Sequence, residues 1–478
     1  MTAGRRFAGF TLHGRLPLAG LICIAVLLSV VFGLSFYLNT INILLFTIIL
    51  FIVLFAKPFT LLLMLVVLGS INFLPSMFSG SKYTSTFEQV GRDILLCFLF
   101  LRWVMSSAVA GHKPLRLPRR IWVPLMIWVW YVILRSFTGR TDFTSSIRVL
   151  RYIVLYPVIL LIVVYDIILN ERQMVILLRT FIIIGVLASL VGLADALFGF
   201  SRGYMSSVYT ISADTDAFMP NTTTRVASFF LNANNFAGYL DTQILLLVLI
   251  LLESKNTIFP RALILPVLVL HFLCLLVTWS RGAPLALLPC FMAIIYLLRR
   301  YRRISSRKIA LTIVFIAILA TAVFFVYLNT QAIRGGLADD MRVKGLPWFW
   351  NTFTERLDVF LTGYGTSPLP GMAPDLPGAG DIWLVVVAYY YGVIGVLLFV
   401  RLVVSTFAVV EIPYRPKGSD VLWLTSHFGI IYSMFMLVWS FASVAYTLFP
   451  SGMYTWIFVA VSLKAASMLS GREVSCRA

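Results

Sequence analysis

Residues 174–198 read MVILLRTFIIIGVLASLVGLADALF, an apolar run with one arginine and one aspartate. A helix needs about 20 such residues to cross the hydrocarbon core of a bilayer, and this run is long enough. Working outward in both directions, the same kind of segment recurs between short polar breaks. The segments fall at about 17–38, 41–56, 59–75, 93–110, 121–137, 149–168, 174–198, 236–252, 262–279, 283–298, 309–328, 380–404, 421–441 and 450–468. The expectation is an all-α polytopic membrane protein with about 14 transmembrane helices, and at least 12 because 41–56 and 283–298 are short.

Composition agrees. Of 478 residues, 60% are apolar and only 12% charged. A soluble globular protein carries roughly 25% charged residues, and disordered or coiled-coil chains carry more polar residues still. The first segment follows Gly4-Arg5-Arg6-Phe7, which hints at a twin-arginine signal. Its apolar run is too long for a signal peptide and no small-residue cleavage site follows Tyr37, so a retained first helix is expected.

The charge is lopsided, with 38 Lys and Arg against 19 Asp and Glu, a net of +19. With an inside N-terminus the loops on the inner side hold 21 of the 38 basic residues. The outer loops at about 201–235 and 329–379 are the longest, yet together carry six. This asymmetry predicts a multi-pass protein with both termini in the cytoplasm. The basic runs HKPLRLPRR and RRYRRISSRK are short, isolated and without interleaved aromatics, which argues against nucleic acid as a partner. The five cysteines and four histidines are scattered, so no metal site or other cofactor is expected.

The second long outer loop contains an amphipathic stretch from Trp348 to Leu361. Phe349, Trp350, Phe353, Leu357, Phe360 and Leu361 share one face, and Asn351, Glu355, Arg356 and Asp358 point elsewhere. It reads either as a helix lying on the outer membrane surface or as a lid packed on the bundle.

Most of the basic residues obey the topology rule, so the informative ones sit on the outer side. Arg135 ends the fifth segment, Arg148 and Arg151 open the sixth, Arg225 closes the first long loop, and Arg281 lies in the turn Thr278-Trp279-Ser280-Arg281-Gly282. Asp195 and Asp241 stand in the outer thirds of their segments. Ionised groups within a span are costly unless they face water or a partner, so this set predicts a polar cavity open to the outside. Arginine forks suit phosphate oxygens, and the predicted ligand is a lipid phosphate or diphosphate.

Arg225 begins RVASFFLNANNFAGYL and Arg281 sits in LLVTWSRGAPLALL. A third stretch, LTGYGTSPLP leading to GDIWLVVVAYYYGVIG, contains Gly363, Gly365, Gly392 and Gly395. In this order the three elements resemble the signature of the O-antigen ligase and Wzy-type polysaccharide polymerase superfamily, over roughly residues 220–400. The resemblance implies a GT-C-like fold and metal-independent, inverting glycosyltransfer on the periplasmic face of the bacterial inner membrane, with no cofactor. The donor it implies is a glycan on undecaprenyl diphosphate, and the acceptor is the next lipid-linked repeat unit or lipid A core. Membrane lipid and a chain-length regulator are the other expected partners. Arg225 and Arg281 match the family's substrate-contacting arginines, with the charge-stabilising role of catalytic residues. Asn234 matches the asparagine after the first arginine. Ser280, Arg148, Arg151 and Arg356 complete the expected substrate-binding set.

The sequence departs from the ligase pattern at one place. Ligases of the superfamily carry a histidine before the helix that follows the long loop, and here that place reads Gly380-Asp381-Ile382-Trp383. Asp381 is therefore the candidate general base, and equally a candidate N-cap for the next helix. The missing histidine points to a repeat-unit polymerase, with an O-antigen ligase as the alternative. A transporter or flippase of lipid-linked oligosaccharide, which Arg102 in mid-span favours, is a more distant reading. Three parts are expected: helices 1–7 over residues 1–219, the ligase- or polymerase-like core over 220–404 including the loop 329–379, and the last two helices over 405–478.

Overall fold

In the computed structural model the residues described are 56–70, 82–109, 117–138, 150–198, 233–252, 258–278, 282–301, 356–365, 383–410, 420–440 and 451–477, with isolated positions between them. Among them the regular structure is helical throughout, with no strand. In chain order the helices are α1 (Pro58–Ser70), α2 (Lys82–Val109), α3 (Arg119–Thr138), a π-helical turn (Arg151–Leu155) running into α4 (Tyr156–Ile167), and α5 (Glu171–Phe198). Then follow α6 (Ala233–Leu252), α7 (Arg261–Val277), α8 (Gly282–Tyr301), the short α9 (Leu357–Thr362), α10 (Trp383–Val410), α11 (Asp420–Trp439) and α12 (Ser451–Arg477).

Six of these (α3, α5, α6, α10, α11 and α12) are long and apolar enough to cross a membrane, and α1, α4, α7 and α8 contribute shorter apolar helices. The chain is an all-α, multi-pass membrane protein. Helices stand at eleven of the fourteen predicted segments. The segments 17–38, 41–56 and 309–328 fall outside the described residues, apart from isolated positions.

The bundle is organised around α6. It packs against α5, α7, α8, α11 and α12, and from Asn235 to Ile250 every residue is buried. A helix covered on all sides can be apolar all round, which explains why this segment shows no polar face. Small residues let its neighbours approach, as expected where packing rather than water drives helix association. Gly185 and Gly192 of α5 lie against the Gln243 side chain and the Phe236 ring, and Gly238 of α6 lies under the Trp439 ring of α11. Polar pins fix the register. The Gln243 amide donates to the Phe181 carbonyl at 2.9 Å, and the Tyr454 hydroxyl of α12 donates to the Val66 carbonyl of α1 at 2.6 Å. Trp103 of α2 donates to the Asp166 carboxylate of α4 at 2.7 Å. The outer helices turn apolar side chains outward, among them Trp130, Leu134, Leu265, Leu397 and Val404. In water such a surface would invite association; against lipid it is the expected exterior.

The predicted amphipathic stretch takes a different form. The six-residue helix α9 begins only after Arg356, whose backbone is extended (φ −132°, ψ 121°), so the chain from Trp348 to Leu361 is not one continuous helix. Val359 is the buried residue, while Leu357, Leu361 and Trp350 are exposed. Beside the break the Arg356 guanidinium pairs with Asp358 two residues on, at 3.2 and 2.6 Å.

A Cβ at position 238 would overlap the Trp439 ring. Gly238→Val should therefore destabilise the purified protein by about 1–3 kcal/mol, the usual cost of overpacking. Thermal unfolding in detergent measures it, with Leu397→Ala on the lipid side expected to leave the midpoint nearly unchanged.

Candidate functional site

Two of the sequence elements meet where α6 begins, α7 ends and α8 begins. The Val226 amide donates to the Val277 carbonyl at 3.3 Å, so the stretch entering α6 runs alongside the end of α7. Ser280 donates through its hydroxyl to the Asn234 side-chain oxygen at 3.2 Å. The turn carrying Ser280 is shaped from within: Thr278 donates to the Leu275 carbonyl at 2.7 Å and accepts the Ser280 amide at 3.2 Å. On the other side of α6 the Ser228 hydroxyl bonds the Ala188 carbonyl of α5 at 2.8 Å. Ser228 has φ +51°, the one non-glycine residue with positive φ among those described. Such a conformation costs of order 1–3 kcal/mol and is retained where surrounding contacts enforce it; the bond to Ala188 is one such contact.

The third element forms a separate construction. Helix α10 departs from helical geometry at Gly392 (φ 66°, ψ −174°). In an unbroken helix the carbonyls of Tyr389, Tyr390 and Tyr391 would accept from amides four residues on. Beside the break the turn after α9 supplies further donors. The Tyr364 amide reaches the Tyr389 carbonyl at 2.8 Å and the Gly365 amide the Tyr390 carbonyl at 3.0 Å. The Tyr131 hydroxyl of α3 donates to the Tyr391 carbonyl at 2.8 Å. Gly363 and Gly365 have φ near +78° and +79°. A Cβ at Gly363 would enter the Tyr390 carbonyl, and one at Gly392 the Leu361 carbonyl. These two positions must be glycine for the two backbones to interlock. The Tyr364 and Tyr389 rings stack with centroids 4.7 Å apart.

Of the residues singled out in the sequence, Asn234 and Ser280 are joined directly to each other. Arg151 opens the π-helical turn and is ion-paired with Asp93 of α2 at 2.6 Å. Arg356 is exposed and pairs with Asp358; hydrogen bonds from its guanidinium hold the Asp358 carboxyl below the usual carboxylate range. Arg225, Arg281, Arg148 and Asp381 lie outside the described residues. Among the described residues no group of three His, Cys, Asp or Glu side chains comes together in the manner of a metal site.

Three features are not evident in the sequence. Arg135 is legible there only as a cation on the wrong side, yet it donates to the Thr362 carbonyl at 2.7 Å and to the Gly363 carbonyl. The tyrosine run before Gly392 gives no sign that its carbonyls need donors from elsewhere. The third is the setting of Asp241, which the sequence marks as a charge in the outer third of its segment and which stands near the middle of α6. It is fully buried, and among the described residues neither carboxyl oxygen has a hydrogen-bond partner. His271 of α7 is likewise buried and bonded through Nδ1 to Ser189 at 2.7 Å, and its Nε2 has no partner among the described residues.

No protein-family model matches this chain, and no curated protein matches it.

The Ser280–Asn234 bond is the side-chain link between the two stretches. A double-mutant cycle on Ser280→Ala and Asn234→Ala, read by thermal unfolding, should give a coupling of about 0.5–1.5 kcal/mol, the net worth of one neutral hydrogen bond. Additive losses would show that the two stretches are held together by other contacts.

Proposed function

We propose that the chain is a glycosyltransferase of the bacterial inner membrane, polymerising undecaprenyl-diphosphate-linked repeat units on the periplasmic face, with both termini in the cytoplasm. The observation that carries this reading is the junction of the Arg225-bearing and Arg281-bearing stretches. Val226 is bonded to Val277, and Asn234 to Ser280, so residues adjacent to both arginines belong to one polar corner at the head of α6. Two guanidinium groups at such a corner suit a diphosphate.

In the reaction, a hydroxyl of the acceptor glycan attacks the anomeric carbon of the donor from the face opposite the diphosphate. The new C–O bond forms as the bond to the lipid diphosphate breaks, with inversion. Charge accumulates on the leaving diphosphate, where Arg225 and Arg281 stabilise it more than in the ground state. The hydroxyl proton goes to a carboxylate, for which Asp381 is the candidate. Asn234 and Ser280 orient the arginines or the phosphate oxygens. A chain-length regulator is the protein partner this reading calls for. Ligation to lipid A core uses the same donor chemistry with a different acceptor, and the absent histidine before α10 weighs against it.

A second reading is transport of lipid-linked oligosaccharide. The broken helix α10 and the unpartnered Asp241 favour it, since discontinuous helices and intramembrane acids mark translocation pathways.

Deletion of the gene separates the readings. A glycan stopped at one capped repeat indicates a polymerase, and loss of all long glycan from lipid A indicates a ligase. Lipid-linked units trapped on the cytoplasmic leaflet indicate a flippase. For the proposed enzyme, Arg225→Ala and Arg281→Ala each abolish long glycan while the protein remains in the membrane at normal level; full-length glycan from either variant refutes the assignment. Asp381→Asn should lower turnover by about 10²-fold or more if the carboxylate is the base, measured on reconstituted protein. Normal turnover would leave it the capping role alone.

A further inference from the structure

Neither α3 nor α10 contains an aspartate or glutamate, and together they carry four arginines, Arg119, Arg120, Arg135 and Arg401. Arg135 is held by the Thr362 and Gly363 carbonyls. The other three are exposed, and among the described residues none of them has an acidic partner. Arg401 is the unusual one. Exposed residues recur along α10 at Ile394, Leu397, Arg401 and Val404, spacings of three and four that define one helix face. The rest of that face is apolar, so the guanidinium belongs to a lipid-facing stripe. It stands nine residues before the end of α10, about 13 Å of helical rise. A charge facing hydrocarbon is costly unless it reaches headgroups, water or a partner. A long arginine does so by lying along apolar surface and carrying its charge toward the headgroups.

The headgroups nearest to that side chain are those at the end where α3 begins. Helices α3 and α10 run antiparallel: the Tyr131 hydroxyl donates to the Tyr391 carbonyl at 2.8 Å, and the Trp128 and Phe399 rings meet with centroids 5.7 Å apart. In that register Arg401 stands level with residue 126 of α3, about 9 Å of rise from Arg119 and Arg120. On α3 the exposed stripe is Arg120, Val123, Ile127, Trp130 and Leu134. At about 100° per residue it borders the α3–α10 seam on the same side as the Arg401 stripe. The two helices therefore present one lipid-facing surface, apolar along its length and cationic at one end.

That end is opposite the corner at the head of α6. The Ser146 hydroxyl donates to the Ser136 carbonyl near the finish of α3 at 3.1 Å, and five residues on Arg151 opens the turn into α4. Helix α4 crosses to the start of α5, and α5 returns until the Ala188 carbonyl meets Ser228 beside α6. The finish of α3 thus shares a level with the head of α6, and Arg119, Arg120 and Arg401 lie toward the other leaflet.

We propose that Arg401, Arg119 and Arg120 form a binding site for the phosphate of an anionic glycerophospholipid, whose acyl chains lie along the exposed stripes of α3 and α10. Arginine forks suit phosphate oxygens, and no carboxylate on either helix competes for the guanidinium groups. The site is separate from the donor diphosphate of the proposed reaction and does not depend on that reading.

Titration of the delipidated full-length protein in detergent, read by native mass spectrometry, tests it with phosphatidylglycerol against phosphatidylcholine. Wild-type protein should bind phosphatidylglycerol about tenfold or more tighter than phosphatidylcholine. Arg401→Gln, and separately the double variant Arg119→Gln with Arg120→Gln, should each lose about fivefold or more of that preference. Arg401→Lys should keep most of it. Arg172→Gln, which removes an exposed arginine at the start of α5, should change nothing. Size-exclusion profiles matching the wild type confirm folding, and the double variant decides the matter where Arg401→Gln does not fold. Unchanged phosphatidylglycerol affinity in the folded Gln variants overturns the site. An equal loss in Arg172→Gln overturns it in favour of diffuse attraction to a basic surface. Undecaprenyl phosphate that displaces phosphatidylglycerol, and loses affinity in the same variants, overturns the glycerophospholipid as the occupant.

Discussion

A peptide carbonyl released inside a membrane bundle has no water to accept from, and each such group left unsatisfied costs several kcal/mol. Helix α10 leaves helical geometry at Gly392, and beside that break the carbonyls of Tyr389, Tyr390 and Tyr391 each accept from a group outside the helix. Their donors come from two directions, the amides of Tyr364 and Gly365 and the hydroxyl of Tyr131. The turn that lends its amides then needs donors of its own, and Arg135 provides them. One broken helix thereby commits α3, α9 and α10 to a single arrangement. The close pairing of α3 with α10 arises from this exchange as much as from apolar packing.

The opposite condition holds at α6. Its backbone is unbroken over the described length and apolar contact surrounds it, so its polar side chains must find partners among neighbouring helices. Gln243 finds the Phe181 carbonyl. Tyr239 approaches the same carbonyl at 3.4 Å. Thr242 turns back to its own helix. Asn234, at the head of the helix, bonds Ser280. Asp241, one heptad below Asn234 and so on nearly the same face, has no such partner among the described residues. An acid in such a setting is costly within a span, which sets it apart from the bonded polar side chains of the same helix.

The sequence carried the helices because apolar length is a one-dimensional property. The run at 236–252 could be recognised by composition alone, and the observed α6 extends it by only three residues at its start. The central position of α6 was not legible in the same way. A helix buried on all faces and one facing lipid on several share a composition, and only the small residues at 185, 192 and 238 distinguish them once their neighbours are known. The amphipathic stretch failed for a different reason. Periodicity records where apolar side chains recur and carries no signal for where the backbone leaves the helix, as it does at Arg356.

The arginines illustrate how charge on one side of a topology divides between scaffold and site. Arg135, Arg151 and Arg356 share the sequence property that marked them, a cation on the outer side, yet each is engaged within the chain. Arg135 holds carbonyls, Arg151 pairs with Asp93 inside the bundle, and Arg356 pairs with Asp358 at the surface. An exposed pair such as the last contributes little to stability, whereas the guanidinium of Arg135 bonds two part-buried backbone carbonyls. Position relative to the membrane therefore nominates a residue and local demand for donors assigns its work. By that criterion an arginine beside a turn already closed by its own hydrogen bonds, as at Thr278 and Ser280, has less backbone to serve than one beside a broken helix. Local demand for donors is thus the physical reason that Arg135 serves as scaffold.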